Sequence, residues 1–224
     1  MTDTYYQKKL AAERLKKCYE IASPRVQQYF RAEMYHVLEH IVPGDTVLDL
    51  GCGFGRVLPA LSEKAAQVIG LDNALSSLMF AKENSQQLGN CSLVLANALY
   101  PCFQDHSFDV VVCIQNGISA FHVDPKELLR ASIGITKPKG MVLFSSYADK
   151  FWEHRLEWFE RQADEGLLGE IDWKQTGNGV IICKDGFKAT TMSASGFLKL
   201  SKELGVNAKI VEVDESCIFC EIIV

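Results

Sequence analysis

Asp49 stands just before three glycines at alternate positions, Gly51, Gly53 and Gly55, and Arg56 follows them. Val47-Leu48-Asp49-Leu50 reads as a short buried strand, and helical texture begins at Arg56, so the glycines form a strand-to-helix turn. Glycine adopts positive φ readily and lets a ligand approach the backbone. The first N–H groups of the next helix have no partner within it. Such a turn suits a nucleotide. A dinucleotide pyrophosphate needs a glycine where Arg56 stands, and the carboxylate of Asp49 would repel it. That acid favours a ligand with positive charge.

Asp72 follows 23 residues after Asp49, at the end of Val68-Ile69-Gly70-Leu71-Asp72, where a carboxylate can accept from ribose hydroxyls. Asp at that place also caps helices. A cationic nucleoside without phosphate meets both requirements, and S-adenosylmethionine is one. Other candidates share the carboxyl edge of the expected sheet, where open α/β sheets bind ligands. Gln115 and Asn116 follow the fourth strand, as contacts or as loop residues. His122 and Tyr147 follow strands four and five, and a histidine near neutrality can act as a base. Phe151, Trp152, Trp158 and Phe159 form either an aromatic wall over a substrate or a packing face. His36, His40 and His106 read as surface residues, Cys217 and Cys220 as core thiols, and no metal is expected.

These residues need a frame. Apolar spacing predicts helices over 4–22 and 25–40 before any strand, an N-terminal helical cap. Strands at 47–50, 67–71, 92–96, 108–114 and 141–146 then alternate with helices at 56–64, 75–88 and 125–136. Strands apolar on both faces and alternating with helices predict a parallel sheet covered on both sides. After Tyr147 the alternation lapses into an aromatic helix over 149–163 and an antiparallel ribbon over 171–191. A helix at 194–204 and a hairpin of strands 208–213 and 217–224 finish the chain. The expected layout is one domain, 1–224: a cap at 1–42, a core at 43–146, an insertion at 147–192 serving as substrate lid or dimer contact, and a final segment at 193–224.

On these motifs the chain resembles the Rossmann-like, S-adenosylmethionine-dependent methyltransferase superfamily of small-molecule type. Asp49-Leu50-Gly51-Cys52-Gly53-Phe54-Gly55 is similar to its first motif and Asp72 to its second. Asn97-Ala98, Ser107 to Val112 and Lys137-Pro138-Lys139-Gly140 resemble its adenine-side segment, fourth strand and the turn before strand five. Asn97 replaces the usual Asp and Lys139 a glycine, and Gln115-Asn116-Gly117-Ile118 stands where nucleic-acid amino-methylating enzymes carry a proline-rich motif. The resemblance implies sheet order 3-2-1-4-5-7-6 with strand seven antiparallel. It implies S-adenosylmethionine held by Asp49, Gly51, Cys52, Gly53, Asp72, Asn73, Asn97, Ala98 and Gln115. The acceptor would meet Tyr147, Phe151 and His122.

Composition narrows the partners. Asp+Glu is 28 and Lys+Arg 23, a net charge of −5, which offers nucleic acid no global basic surface. No stretch approaches the ~18 apolar residues of a membrane span, and the polar start lacks a signal peptide's apolar core. Eight scattered cysteines suit a reducing, cytoplasmic setting. The partner expected is a small-molecule substrate, with a homodimer open. Three functions are compatible: methyl transfer, a non-catalytic cofactor-binding or interaction module, and, disfavoured by Asp49 and Arg56, a dehydrogenase.

Overall fold

The computed structural model describes residues 5–224, with the backbone alone for Gln7 and Lys8; the first residue of the expected N-terminal helix, Thr4, lies outside that range. Five parallel strands carry the frame: β1 (Thr46–Leu50), β2 (Gln67–Asp72), β3 (Cys91–Leu95), β4 (Phe108–Cys113) and β5 (Thr136–Tyr147). A short antiparallel ribbon, β6 (Ile181–Ile182) with β7 (Lys188–Ala189), stands apart. The hairpin β8 (Ala208–Val213) and β9 (Cys217–Ile223) completes the main sheet. The order is β3-β2-β1-β4-β5-β9-β8, and β9 runs antiparallel to both neighbours. Counting only the main-sheet strands, this is the order 3-2-1-4-5-7-6.

Strand parity explains the two-sided apolar runs. Val47, Val110 and Val112 face one core, while Leu48, Leu50, Val111 and Cys113 face the other. Each fully buried aliphatic side chain contributes about 1.5–3 kcal/mol, so a one-residue slip would exchange the two cores. The first core is covered by α1 (Tyr5–Lys8), α2 (Ala12–Glu20), α3 (Pro24–Glu39), α4 (Leu58–Lys64), α5 (Leu75–Asn84) and α8 (Trp152–Asp164). The second is covered by α6 (Gly117–Ala120), α7 (Pro125–Ile135) and α9 (Ala194–Leu204). Asp124 caps α7 and Ser193 caps α9 through side-chain acceptance of a backbone N–H.

Several expectations are corrected. The single helix over 4–22 is two pieces, because Ala12 takes φ +51° and turns its N–H to Ser77 Oγ at 3.1 Å. The helix expected from 75 stops at Asn84 instead of 88. The ribbon is thinner than its β-rich sequence suggests: beyond two paired residues per strand it holds only the bridges Ile171–Cys183 and Gly177–Val180. His36 and His40 are not free surface groups. His36 Nε2 lies 2.8 Å from Glu221 Oε1, His40 Nε2 lies 3.7 Å from it, and Lys209 holds Glu221 Oε2 at 3.2 Å. Their i,i+4 spacing puts both rings over β9.

The cap and the 147–192 segment bind each other. Trp158 Nε1 donates to Cys18 O at 2.7 Å, and its ring meets Tyr19 and Phe30 edge-on at 5.7 and 5.2 Å. Arg14 donates to the carbonyls of Gly166 and Leu167 at 2.8 and 3.0 Å, and Tyr5 OH to Asp185 Oδ2 at 2.7 Å. Together they roof one end of the sheet.

Candidate active site

Under that roof lies a cavity floored by Gly51, Gly53, Asp72, Asn73, Ile114 and Gln115, with Tyr6, Leu10, Tyr19, Tyr147, Trp158 and Phe159 on the roof side. A smaller cavity beside it is lined by Asp72, Asn73, Ala96, Asn97, Ala98 and Val123, and Gly51 and Phe121 border both.

The turn is built as glycines require. Gly51, Gly53 and Gly55 have φ of +85°, +54° and +83°. Gly51 and Cys52 both donate their N–H to Leu71 O, at 2.8 and 2.9 Å, so those two donors are consumed within the fold. Gly53 N donates to Asp72 Oδ2 and Ala74 N to Asp72 Oδ1, each at 2.8 Å. Burial raises the Asp72 carboxyl above its ordinary range, and the N–H groups of Ala74, Gly53 and Asn73 oppose the rise. Each carboxylate oxygen keeps a lone pair for a hydroxyl.

Asp49 and Cys52 do not line the cavity. Cys52 turns its sulfur toward Gly70, where an added Cβ would meet it at 2.9 Å. Asp49 is 2 % exposed and sits behind the turn with Oδ2 unpartnered. Burial pushes its carboxyl up to about 7; Arg56 pulls it down, while Asp72 and Glu33 push it up. An unpartnered buried carboxylate favours a cation arriving on the far side of the turn.

Gln115 and Asn116 both adopt left-handed backbone, φ +55° and +61°. Glu33, fully buried on α3, holds the first: its Oε1 accepts from Gln115 N at 3.0 Å, Ser145 Oγ at 2.5 Å and Tyr29 OH at 3.2 Å. Gln115 Nε2 donates to Glu33 Oε2. Gln115 Oε1 is left buried without a partner and lines the cavity through its residue. Asn97 Oδ1 accepts from Leu99 N at 2.9 Å, a local turn, while the residue lines the smaller cavity.

Two substrate-side expectations are corrected. Phe151 is fully buried against Tyr29 at 5.1 Å and parallel to Tyr147 at 6.3 Å, and belongs to neither cavity lining. The 3-10 turn Asp149–Phe151 swings it inward behind Tyr147. His122 is exposed, with φ +50°, while Phe121 one position earlier points in. Tyr147 does line the cavity. Glu33, Phe121, Tyr19 and Gln162 were not singled out from sequence. Glu33 alone had a signal, a carboxylate on the apolar face of a helix.

The residues fit S-adenosylmethionine. The unpartnered oxygen of Gln115 suits its positive end, with the buried carboxylate of Asp49 acting through its charge from behind the turn, Asp72 suits a ribose, and the second cavity suits a flat base beside Asn97 and Ala98. Comparisons agree. Residues 47–140 match the family described as a methyltransferase domain. A ubiquinone biosynthesis O-methyltransferase of Neisseria meningitidis is 37% identical over 144 residues, 59% of this chain and 57% of that protein. The chain spans about half the length of the curated relatives it matches. In fold it is similar to a SAM-dependent methyltransferase from Aquifex aeolicus, with a TM-score of 0.65 at 17% identity covering 93% of this chain and 98% of that one. A Pyrococcus horikoshii protein superposes with a TM-score of 0.68 at 17% identity, covering 99% and 98%. The strand order is that of the Rossmann-like fold these solved structures share, and over residues 47–140 the chain is similar to the methyltransferase domain family.

Proposed function

We propose that this chain transfers a methyl group from S-adenosylmethionine to a small-molecule acceptor. The observation that carries this reading is the single cavity in which Asp72 and Gln115 stand opposite an aromatic roof containing Tyr147 and Trp158. When bound, the cofactor supplies a methyl group made electrophilic by its sulfonium. Asp72 holds the ribose, Gln115 Oε1 and Asp49 favour the cationic end, and the roof excludes water and aligns the acceptor.

The proton inventory shapes the chemistry. Tyr6, Tyr19, Tyr147 and Cys18 line the cavity, and burial raises all four, Tyr19 and Cys18 to about 12. None accepts a proton readily near neutrality. Catalysis then rests on alignment, with an acceptor whose attacking atom is already deprotonated. The names of the curated relatives support an oxygen nucleophile. Eight free cysteines, six of them buried, support a reducing, cytoplasmic setting. None of the helices formed by the described residues is long and apolar enough to cross a membrane.

The high proton affinity of these four cavity residues also favours a second reading, a binding module without turnover. S-adenosylhomocysteine should raise the melting temperature while a nicotinamide cofactor leaves it unchanged. Methyl transfer to some member of a panel of phenols, carboxylic acids and amines separates enzyme from module. If S-adenosylhomocysteine gives no shift, both readings fail.

A further inference from the structure

A third cavity, about 320 Å³, lies on the other side of Tyr147 and is lined by Ala148, Asp149, Trp152, Arg155, Asn178 and Thr191 among others. Arg155 is 1 % exposed. A buried charge is normally paired, because leaving water costs several kcal/mol per ion. Here the guanidinium donates to Gly179 O at 2.9 Å and Thr190 O at 3.5 Å, and Nε has no partner. The remaining neighbours are ring faces: Tyr147 at 4.7 Å, Phe159 at 5.5 Å and Trp152 at 5.8 Å. Among the described residues no carboxylate pairs with it. Asp149, on the same cavity, is exposed and solvated.

A guanidinium has five N–H donors in a planar fork that matches two oxygens of one anion. Backbone carbonyls supply only partial negative charge, and burial lowers the pKa of Arg155. Tyr147 and Phe159 line the main cavity and also flank the guanidinium. Resting on the methyl-transfer reading above, we propose that the acceptor carries an oxyanion, a carboxylate or phosphoryl group, that docks on Arg155 behind Tyr147 while its reacting atom faces the cofactor. Trp152 and Tyr147 then flank an apolar body between the two ends. The missing counter-charge is supplied by the substrate, which makes Arg155 a specificity-determining residue.

The test uses the full chain saturated with S-adenosylhomocysteine. Benzoate, phenylphosphonate and the neutral benzamide are titrated by calorimetry. Benzoate or phenylphosphonate should bind at least ten-fold tighter than benzamide, and whichever binds tighter identifies the oxyanion. Arg155→Met should bring the ratio to within two-fold, Arg155→Lys should keep part of it, and S-adenosylhomocysteine affinity should stay within three-fold in both. If Arg155→Met does not fold, the wild-type ratio stands with a second readout: the Arg155 Nε–H resonance should move with the anion and not with benzamide. Equal binding of anions and benzamide, a preference that survives Arg155→Met, or an unmoved Nε–H signal overturns the proposal. So does a ten-fold loss of S-adenosylhomocysteine affinity in folded Arg155→Met, since Arg155 would then serve the cofactor's own carboxylate. Failure of S-adenosylhomocysteine to bind wild type sinks the methyl-transfer reading itself; its binding without anion preference sinks only this one.

Discussion

Asp72 and Gly53 are tied together by one hydrogen bond, Gly53 N to Asp72 Oδ2 at 2.8 Å, across the ends of β2 and β1. The acid proposed to hold the ribose therefore also sets the shape of the glycine turn. Asp72→Ala removes a charged acceptor and releases the N–H groups of Gly53 and Ala74. S-adenosylhomocysteine binding should weaken by about 2–3 kcal/mol, the size of charged hydrogen bonds, as read by calorimetry. Wild-type affinity in a folded variant would remove Asp72 from the ribose site.

Asp49 should make cofactor binding pH-dependent. Its carboxyl, held up at about 7 by burial, is protonated in the free protein below that pH. In the free protein a raised folded value gives stability that is full below the ordinary carboxylate range and lost as pH rises through about 7. A cationic ligand selects the ionised form, so affinity should rise with pH, by up to about ten-fold per unit below 7, and flatten above. Asp49→Asn should flatten the profile and stabilise the free protein at alkaline pH. A level wild-type profile from about pH 5.5 to 8.5 would refute this role.

Gly51 is confined from two sides. A Cβ there would lie 2.4 Å from Phe121 Cζ, and φ is +85°. Gly51→Ala should cost more than about 1 kcal/mol of stability and displace Phe121 from the border of the two cavities. Adding Phe121→Ala should recover part of the stability and none of the cofactor affinity. Recovered affinity in the double variant would mean that Phe121 is not a wall of the nucleoside site.

Glu33 supports Gln115 from below. Glu33→Ala strands the Gln115 N–H groups and the hydroxyls of Ser145 and Tyr29 in the core, at about 1–3 kcal/mol for each group left buried. A fall in melting temperature together with a weaker S-adenosylhomocysteine complex is expected, with Glu33→Gln closer to wild type. If affinity is unchanged in a folded Glu33→Ala protein, Gln115 does not hold the cofactor.

The glycine turn and Asp72 were legible because each is fixed by local chemistry, positive φ and a strand end; two-sided apolar runs gave a covered parallel sheet, while its strand order followed only from the family resemblance. The neighbours of Tyr147 were not. Phe151 and His122 were placed by sequence proximity to strand ends, yet a 3-10 turn buries the first and a left-handed residue turns the second outward. Glu33 and Arg155 escaped notice because their importance lies in contacts across 82 and 24 residues of chain, to Gln115 and Gly179, which no spacing encodes.

The contact of Trp158 with Cys18 spans 140 positions of sequence, so the two parts of the roof share one seam. Neither part can lift without parting from the other. Entry of fresh cofactor and departure of the spent one should then be timed by a single opening event, seen as one exponential in stopped-flow binding and quickened by Trp158→Phe, which deletes one of the seam's hydrogen bonds. Turnover would be clocked at that seam and not at the carbon being moved.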